Sequence, residues 1–371
     1  MSLSLIVMHP IFATVYVGPF FRALGAKVGK NAEVSTASSV THPLLCIGNN
    51  AFVADAVTLG EADVRAQQLI LDNTVICDNS FVGNSALIPQ GYELPSGMLI
   101  GVLSTPPDKE QLTNNTAKDW FGSPAIAIPY RQPSHAFADG LVLNPSRRRK
   151  MARAIVELIR IILPESAIII FSTLFIAYAH DLLVDLPVWK VMLYLPFYYL
   201  GFMGIPAFLL TVILKWVFVG RYKPHQMPMW SWKVWKSEAI TTTYEAMAVP
   251  FLLEYLKGTP WLPLALRLLG VKTCDRVWLN TTDFTEFDMV SIGDDTALND
   301  DCGPQTHLFE DRIMKIGAVK IGARSSIGAR SIILYDSETG NDSHIEALSL
   351  VMKGERLSPG SSWIGSPVKP L

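Results

Sequence analysis

Cysteine is scarce. Among 371 residues there are four, Cys46, Cys77, Cys274 and Cys302, and no two form a CxxC pair. That spacing spells out neither a zinc site nor a thioredoxin-like redox pair, so reduced structural thiols in a reducing compartment are expected. Catalytic signatures are equally sparse. No GxSxG elbow, GxxxxGK[ST] loop or GxGxxG turn occurs, which excludes serine-hydrolase, P-loop and dinucleotide-binding readings. The seven histidines are too scattered for a three-histidine zinc centre, and neither a metal nor an intrinsic cofactor is expected. Charge is thin as well: 17% of residues are charged and the net charge is −2. A chain so balanced carries no electrostatic footprint for nucleic acid. No basic n-region precedes the apolar start, so no cleaved signal peptide is expected.

What is present in excess is hydrophobicity. Half of the residues are apolar and the mean hydropathy is +0.29, more than an ordinary soluble enzyme carries, which points to partial residence in a membrane. The chain also repeats itself. Shifted by 245 positions, Arg22 to Thr36 falls on Arg267 to Thr281, Ile47-Gly48 on Ile292-Gly293, Asp55 on Asp300, and Ile76 to Ile88 on Ile321 to Ile333. After a two-residue slip, Trp120 to Pro124 meets Trp363 to Pro367. A fixed offset over so long a stretch means two copies of one domain.

Within the first copy Ile70, Ile76, Val82, Ile88, Leu94 and Ile100 recur every six residues, and in the second Ile321, Ile327 and Ile333 continue through Thr339 to Ile345. Helices repeat at 3.6 and simple strands at 2, so neither explains a period of six. A parallel β-helix does, with three short faces per coil and one aliphatic side chain per face turned into a narrow shaft. Small and turn-forming residues such as Ile47-Gly48-Asn49-Asn50 supply the corners. The expected fold is therefore mainly β with membrane helices: two tandem left-handed parallel β-helices of hexapeptide repeats, joined by a transmembrane helical hairpin.

The boundaries follow from the pattern. Residues 1–21 form an apolar interfacial lead-in, 22–130 the first β-helix, 131–245 a linker and hairpin, 246–266 a second lead-in and 267–371 the second β-helix. The hairpin helices are placed at about 161–180 and 188–219, each near or above the ~20 residues a span needs. Pro196 and Pro206 are expected to kink or tilt the second helix without splitting it. Arg147 to Lys150 with Arg153 precede the first run, and Arg221, Lys223, Lys233 and Lys236 follow the second. The positive-inside rule then makes this an integral membrane protein with both β-helix domains facing the cytoplasm. Trp230, Trp232 and Trp235 read as an interfacial belt.

The copies differ most in one loop. The second runs Asp300 through Gln305, Thr306 and His307 to Glu310, Asp311 and Arg312, and His307 falls opposite Ala62. A histidine among carboxylates has its tautomer set and suits general-base work near neutral pH. The candidate catalytic residues are His307, with Glu310 or Asp311 orienting its ring. Asp283, Glu286 and Asp288 form a second acidic cluster that, two or three coils earlier, could lie near His307 as orienting or amine-binding carboxylates. Asp283 and Glu286, with Asp300, Arg312 and Tyr335, are the candidates for substrate binding. Lys353 and Glu355 are weaker candidates. His42 has Phe287 as its counterpart and reads as a turn or core histidine.

Gln305 to Arg312, Thr282 to Asp288, Val351 to Glu355 and Phe81 to Leu87 carry a resemblance. The chain resembles the C-terminal membrane region of the Pls/PosA-type nonribosomal peptide synthetases, over essentially its whole length. The resemblance implies hexapeptide-type domains, separated by pairs of membrane helices, that join amino acids into isopeptide chains behind an adenylation domain and a carrier domain. This chain has neither of those domains, and its first Met aligns inside the lead-in. A carrier and adenylation protein acting in trans, or a missing N-terminal part, is therefore the expected partner. The implied donor is a phosphopantetheine thioester on a carrier protein, or coenzyme A. The implied reaction is amide or isopeptide formation with an amine. Membrane lipid and a homo-oligomer through the β-helix faces complete the expected contacts. A non-catalytic membrane scaffold that docks a synthetase, and a CoA-dependent acetyltransferase, are the alternatives.

Overall fold

The computed structural model describes residues 9–128 and 135–371. Residues 1–8 of the lead-in and the expected boundary at residues 130 and 131 lie outside the described residues. The chain divides into two compact units. One comprises Met1–Glu157 with Pro228–Trp230 and Phe309–Met314; the other comprises Leu158–Met227, Ser231–Leu308 and Lys315–Leu371.

In the second copy the chain winds through three parallel sheets in rotation. Lys272–Thr273, Val290–Ile292, Val319–Ile321, Ser337–Thr339 and Arg356–Leu357 stack in one sheet. Trp278–Leu279, Ala297–Leu298, Ser326–Ile327, His344–Ile345 and Ser362–Ile364 stack in the next, which Lys369–Pro370 closes antiparallel. Gly303–Gln305, Ile332–Leu334 and Leu350–Val351 form the third. Ile321 pairs with Thr339 and Ile327 with Ile345, so one circuit takes three hexads. Ile321, Ile327, Ile333, Thr339, Ile345 and Val351 are all buried along the axis, each aliphatic contributing roughly 1.5–3 kcal/mol.

The first copy follows the same course, with Ile47, Val53, Ile76, Val82, Ile88, Leu94 and Ile100 buried. Ile70 departs from the expected shaft position. It ends an antiparallel hairpin, Asp63–Arg65 with Gln68–Ile70, that leaves the coil, and its side chain is exposed. The unbroken row of hexads thus starts at Ile76, and an apolar residue one period earlier only continues the pattern by chance. A short helix, Lys109–Asn114, occupies the stretch that in the second copy contains the strand Arg356–Leu357.

Backbone corners repeat with the same offset as the residues. Left-handed φ values recur at Asn31 and Arg276, Asn50 and Asp295, and Asn79 and Arg324. At Gly48 and its counterpart Gly293 an added Cβ would lie 2.6 Å from Asp78 N and 2.5 Å from Ala323 N respectively. Any side chain there would force adjacent coils apart, which accounts for glycine after the isoleucine.

Between the copies, the helix Arg147–Asp185 runs for 39 residues and exposes Ile162, Ile169, Ile170, Leu174 and Ile176. Val188–Tyr199, a π-turn at Leu200–Gly204 and Ile205–Phe218 make one continuous helix. Pro206 has no N–H to donate into the preceding turn, and the wider π-turn just before it absorbs the break. Val188–Phe218, with a hydropathy of 1.9, is the one helix among the described residues long and apolar enough to cross a membrane by that measure.

Two expectations about this region are corrected. Trp230 and Trp235 are buried, and only Trp232 is exposed as an interfacial tryptophan would be. The Trp230 ring packs under the Arg153 guanidinium at 4.6 Å. Arg153, counted as a topogenic cation, is 2% exposed and bridges Glu33 at 3.0 Å and Glu157 at 2.6 Å. Its charge is used inside the protein, because a buried guanidinium needs carboxylate partners.

Candidate functional site

The segment Thr282–Asp288 precedes the strand Val290–Ile292 and is pinned by aromatic side chains. Phe284 and Phe287 are fully buried, and Tyr244 meets Phe287 edge-on at 5.0 Å while its hydroxyl donates to Thr282 O at 2.8 Å. One circuit later the chain leaves the strand Gly303–Gln305 as a hairpin, Ile313–Ile316 returning alongside His307–Glu310. Asp311 and Arg312 make its two-residue turn with φ of 49° and 62°, the double left-handed geometry a tight hairpin requires. His307 therefore stands at the foot of the hairpin, beside the preceding coil.

There it meets Glu286. His307 Nδ1 lies 2.8 Å from Glu286 Oε2. The same oxygen accepts from the Thr306 hydroxyl at 2.7 Å and the Thr285 hydroxyl at 2.8 Å, and the two hydroxyls lie 2.9 Å apart. Ser237 Oγ donates to the other oxygen at 3.3 Å. Ser237 has one proton, so it accepts in turn from the Tyr222 hydroxyl, also at 3.3 Å. Glu286 is wholly buried, which alone would push its carboxyl up. The His307 imidazolium, its hydrogen bond and the Thr306 and Thr285 hydroxyls more than offset burial and hold the group at about 2. Burial, reinforced by the Glu286 charge, raises the Tyr222 phenol, which stays a donor.

The other end of the segment is held as firmly. Asp288 Oδ2 accepts from Lys215 Nζ at 2.7 Å and from the Tyr222 backbone N–H at 3.1 Å. Lys215 lies in the helix Ile205–Phe218, is wholly buried and sits 3.5 Å from the Trp216 ring centre. The carboxylate beneath the histidine is thus set by a segment tied to the apolar helix.

This arrangement redistributes the roles expected from the sequence. Glu286 has no exposed surface and lies at His307 Nδ1, one circuit back along the coil and not two or three, which suits the orienting alternative for the acidic cluster and not contact with a soluble amine. Glu286 occupies the Nδ1 side of the ring; Glu310 ends the hairpin strand that begins at His307, and Asp311 is exposed at its turn. Asp283 is exposed and packs against Gly303, and Asp300 is exposed at a coil corner. Arg312 is buried, with Nη2 donating to the carbonyls of Asn31 and Ala51, so it ties backbone and does not present a charge to solvent. The Tyr335 ring is buried as well. Thr285, Thr306, Ser237 and Tyr222 complete the site, although the contrast between the two loops singles out none of them. Thr285-Glu286 and Thr306-His307 stand one circuit apart, and that register is the signal that pairs them.

With Nδ1–H donating to a carboxylate, a neutral imidazole carries its lone pair on Nε2 and can take a proton there. Among the described residues no cluster of histidine, cysteine and carboxylate side chains could hold a metal ion.

No protein-family model matches the chain. Over 367 residues it is 44% identical to a δ-poly-L-ornithine synthetase of Acinetobacter baumannii (strain AB307-0294), a match covering 99% of this chain and 27% of that protein. The chain thus spans about a quarter of the length of the curated relative it matches. Among solved structures it is similar to a hexapeptide-repeat acetyltransferase of Vibrio cholerae, at 18% identity and a TM-score of 0.24, over 27% of this chain and 60% of that one. A galactoside acetyltransferase in complex with coenzyme A matches at 17% identity and a TM-score of 0.27, over 32% and 76%.

Proposed function

We propose that the chain is a membrane-anchored acyl-transfer unit that forms an amide or isopeptide bond between an aminoacyl thioester and an amine. The observation that carries this reading is the His307–Glu286 pair: an imidazole seated at 2.8 Å on a carboxylate with no exposed surface and four hydrogen-bond donors. A carboxylate buried so completely serves the ring above it, as the third group does in acyl-transfer triads.

In the reaction the amine nitrogen attacks the thioester carbonyl carbon while His307 Nε2 takes the N–H proton. The carbon–sulfur bond then breaks and the imidazolium returns the proton to the leaving sulfur. The products are an amide and a free thiol. Glu286 stays ionised throughout and stabilises the imidazolium. Holding thioester and amine together supplies much of the acceleration, and the exposed carboxylates Asp283 and Asp300 favour a cationic amine. The relative's name points to ornithine as the class of building block. The donor is a phosphopantetheine thioester on a carrier protein, or coenzyme A, and the adenylation and carrier functions come from elsewhere, in the same or another chain.

On this reading each three-sided coil is a left-handed parallel β-helix. The helices Arg147–Asp185 and Val188–Phe218 form the membrane hairpin, with both coils on the cytoplasmic side. His307→Ala tests the chemistry: product formation from a loaded carrier and the free diamino acid falls by about 10²–10⁴-fold, while the chain still folds, with a lowered melting transition because the buried Glu286 carboxylate loses its imidazole partner. Unchanged turnover would remove the assignment and leave a docking scaffold as the role of the fold.

A further inference from the structure

Just past the end of the helix Ile205–Phe218 the chain encloses a cleft of about 650 Å³. Arg221, Lys223, Lys233, Lys236 and His225 line it, together with Trp232, and no carboxylate does. Exposed cations on the second coil are neutralised by neighbours, Arg276 by Asp295 at 2.5 Å and Arg324 by Asp342 at 2.7 Å. The four lysine and arginine side chains of the cleft have no ion pair among the described residues; Lys236 instead lies 5.8 Å from the Trp232 ring centre. Four unneutralised cations converging on one concavity repel one another and call for an anion. Trp232 and Lys233 open the 12-residue helix Trp232–Thr243, whose first-turn N–H groups and dipole favour the same sign.

The surroundings identify the anion's source. Val217 and Phe218 are exposed on the apolar helix as it enters the cleft, and Trp232 is 54% exposed at the cleft wall. An apolar helix end, an exposed indole and a ring of cations match the depth order of acyl chain, interface and headgroup phosphate. We propose that this cleft binds the phosphate of an anionic phospholipid headgroup. The proposal rests on the membrane part of the proposed function and not on His307. Two of the lining residues, Tyr222 and Ser237, also belong to the hydrogen-bond chain that ends on Glu286. A bound lipid therefore braces the wall behind the catalytic pair.

The test uses the full chain in neutral detergent and follows its melting temperature with added phosphatidylglycerol, phosphatidylcholine, coenzyme A or inorganic phosphate. Phosphatidylglycerol is expected to raise the transition and the other three to leave it unmoved. Combined Arg221→Ala, Lys223→Ala, Lys233→Ala and Lys236→Ala substitution is expected to abolish the rise. Each single substitution weakens binding roughly fivefold, the equivalent of about 1 kcal/mol per cation near a charged surface. A rise that survives the fourfold substitution overturns the site. A rise with coenzyme A that the fourfold substitution removes overturns the lipid and assigns the cleft to a soluble phosphate. Release of the chain from vesicles by alkaline carbonate removes the membrane reading and the lipid with it. His307→Ala, which abolishes product formation, is expected to keep the full phosphatidylglycerol response, so failure of the chemistry and failure of the lipid site are read separately.

Discussion

The two copies share backbone almost position for position and differ in what they mount on it. Both leave the coil after the third sheet as a two-residue hairpin, with left-handed turns at Ala66-Gln67 in one and Asp311-Arg312 in the other. At the foot of that hairpin the first copy has Glu61-Ala62 where the second has Thr306-His307, and Thr41 stands where Glu286 does. The segment before the next strand carries Pro43 in place of Asp288, so the tie to Lys215 has no counterpart there either. An entire hydrogen-bonded set is present in one copy and wholly missing from the other. Sets of this kind are kept or lost together, because a half-satisfied buried network costs more than none. The duplication supplies one scaffold twice and the His307–Glu286 set once.

The largest break in that asymmetry is His307→Ala, which leaves both copies without the imidazole and is expected to cost about 10²–10⁴-fold in product formation. Next comes the buried carboxylate. Glu286→Ala leaves the imidazole and three hydroxyls without their acceptor, and a loss of about 3–5 kcal/mol is expected in denaturant unfolding. Glu286→Gln keeps the shape and most of the acceptor capacity, so it spares much of the stability while activity still falls. Equal stability losses for the two variants would show that the charge, and not the packing, is what the site depends on. Asp288→Ala strands the buried Lys215 ammonium and is expected to cost about 3 kcal/mol by the same reasoning, although it touches no reacting atom.

Acid sharpens the comparison further. Glu286 is held at about 2 in the folded protein against 4.5 for a free glutamate. A depressed carboxyl contributes stability that is complete above the unfolded value and is lost as pH falls through the folded one. The gap corresponds to about 3 kcal/mol, lost between roughly pH 4.5 and pH 2. Denaturation midpoints followed across that window should fall in the native chain and stay flatter in Glu286→Gln. Parallel curves would mean that Glu286 shares little of the acid sensitivity.

Much of the coil is legible in the sequence. A period of six can only come from three short faces, and the aliphatic row from Ile76 to Ile100 and from Ile321 to Val351 is buried as that demands. Ile70 misleads because the same spacing runs on into a hairpin that no periodicity announces. His307 stands out by its contrast with Ala62. Its partner stands out less: the sequence offers Glu286 as one of three carboxylates near the histidine and does not say that this one, 21 residues back, meets the ring. Only the coil register brings Thr285-Glu286 under Thr306-His307. Trp230 and Arg153 are misplaced by sequence rules for a related reason: hydropathy and charge treat each residue as facing lipid or water, whereas these two face each other at 4.6 Å.

The smallest expected effect is the most pointed. Ala62→His alone places an imidazole at the matching position of the first copy. Nothing there resembles the second site: Thr41 offers a hydroxyl for the Glu286 carboxylate, and Glu61 puts a charge where Thr306 donates a hydrogen bond. The cleft around Ala62 is lined by Glu61, Asp63 and Asp72, with Arg65 paired to Asp63 at 2.5 Å. A histidine there has room but no buried carboxylate to set its tautomer, so turnover is expected to stay within about twofold, since a base contributes its 10²–10⁴ only when oriented. The same substitution in a His307→Ala background should rescue nothing. Rescue by the single change would mean that the imidazole suffices and that Glu286 is structural. Rescue only after Thr41→Glu and Glu61→Thr are added would show that the carboxylate beneath the ring is what separates the two copies.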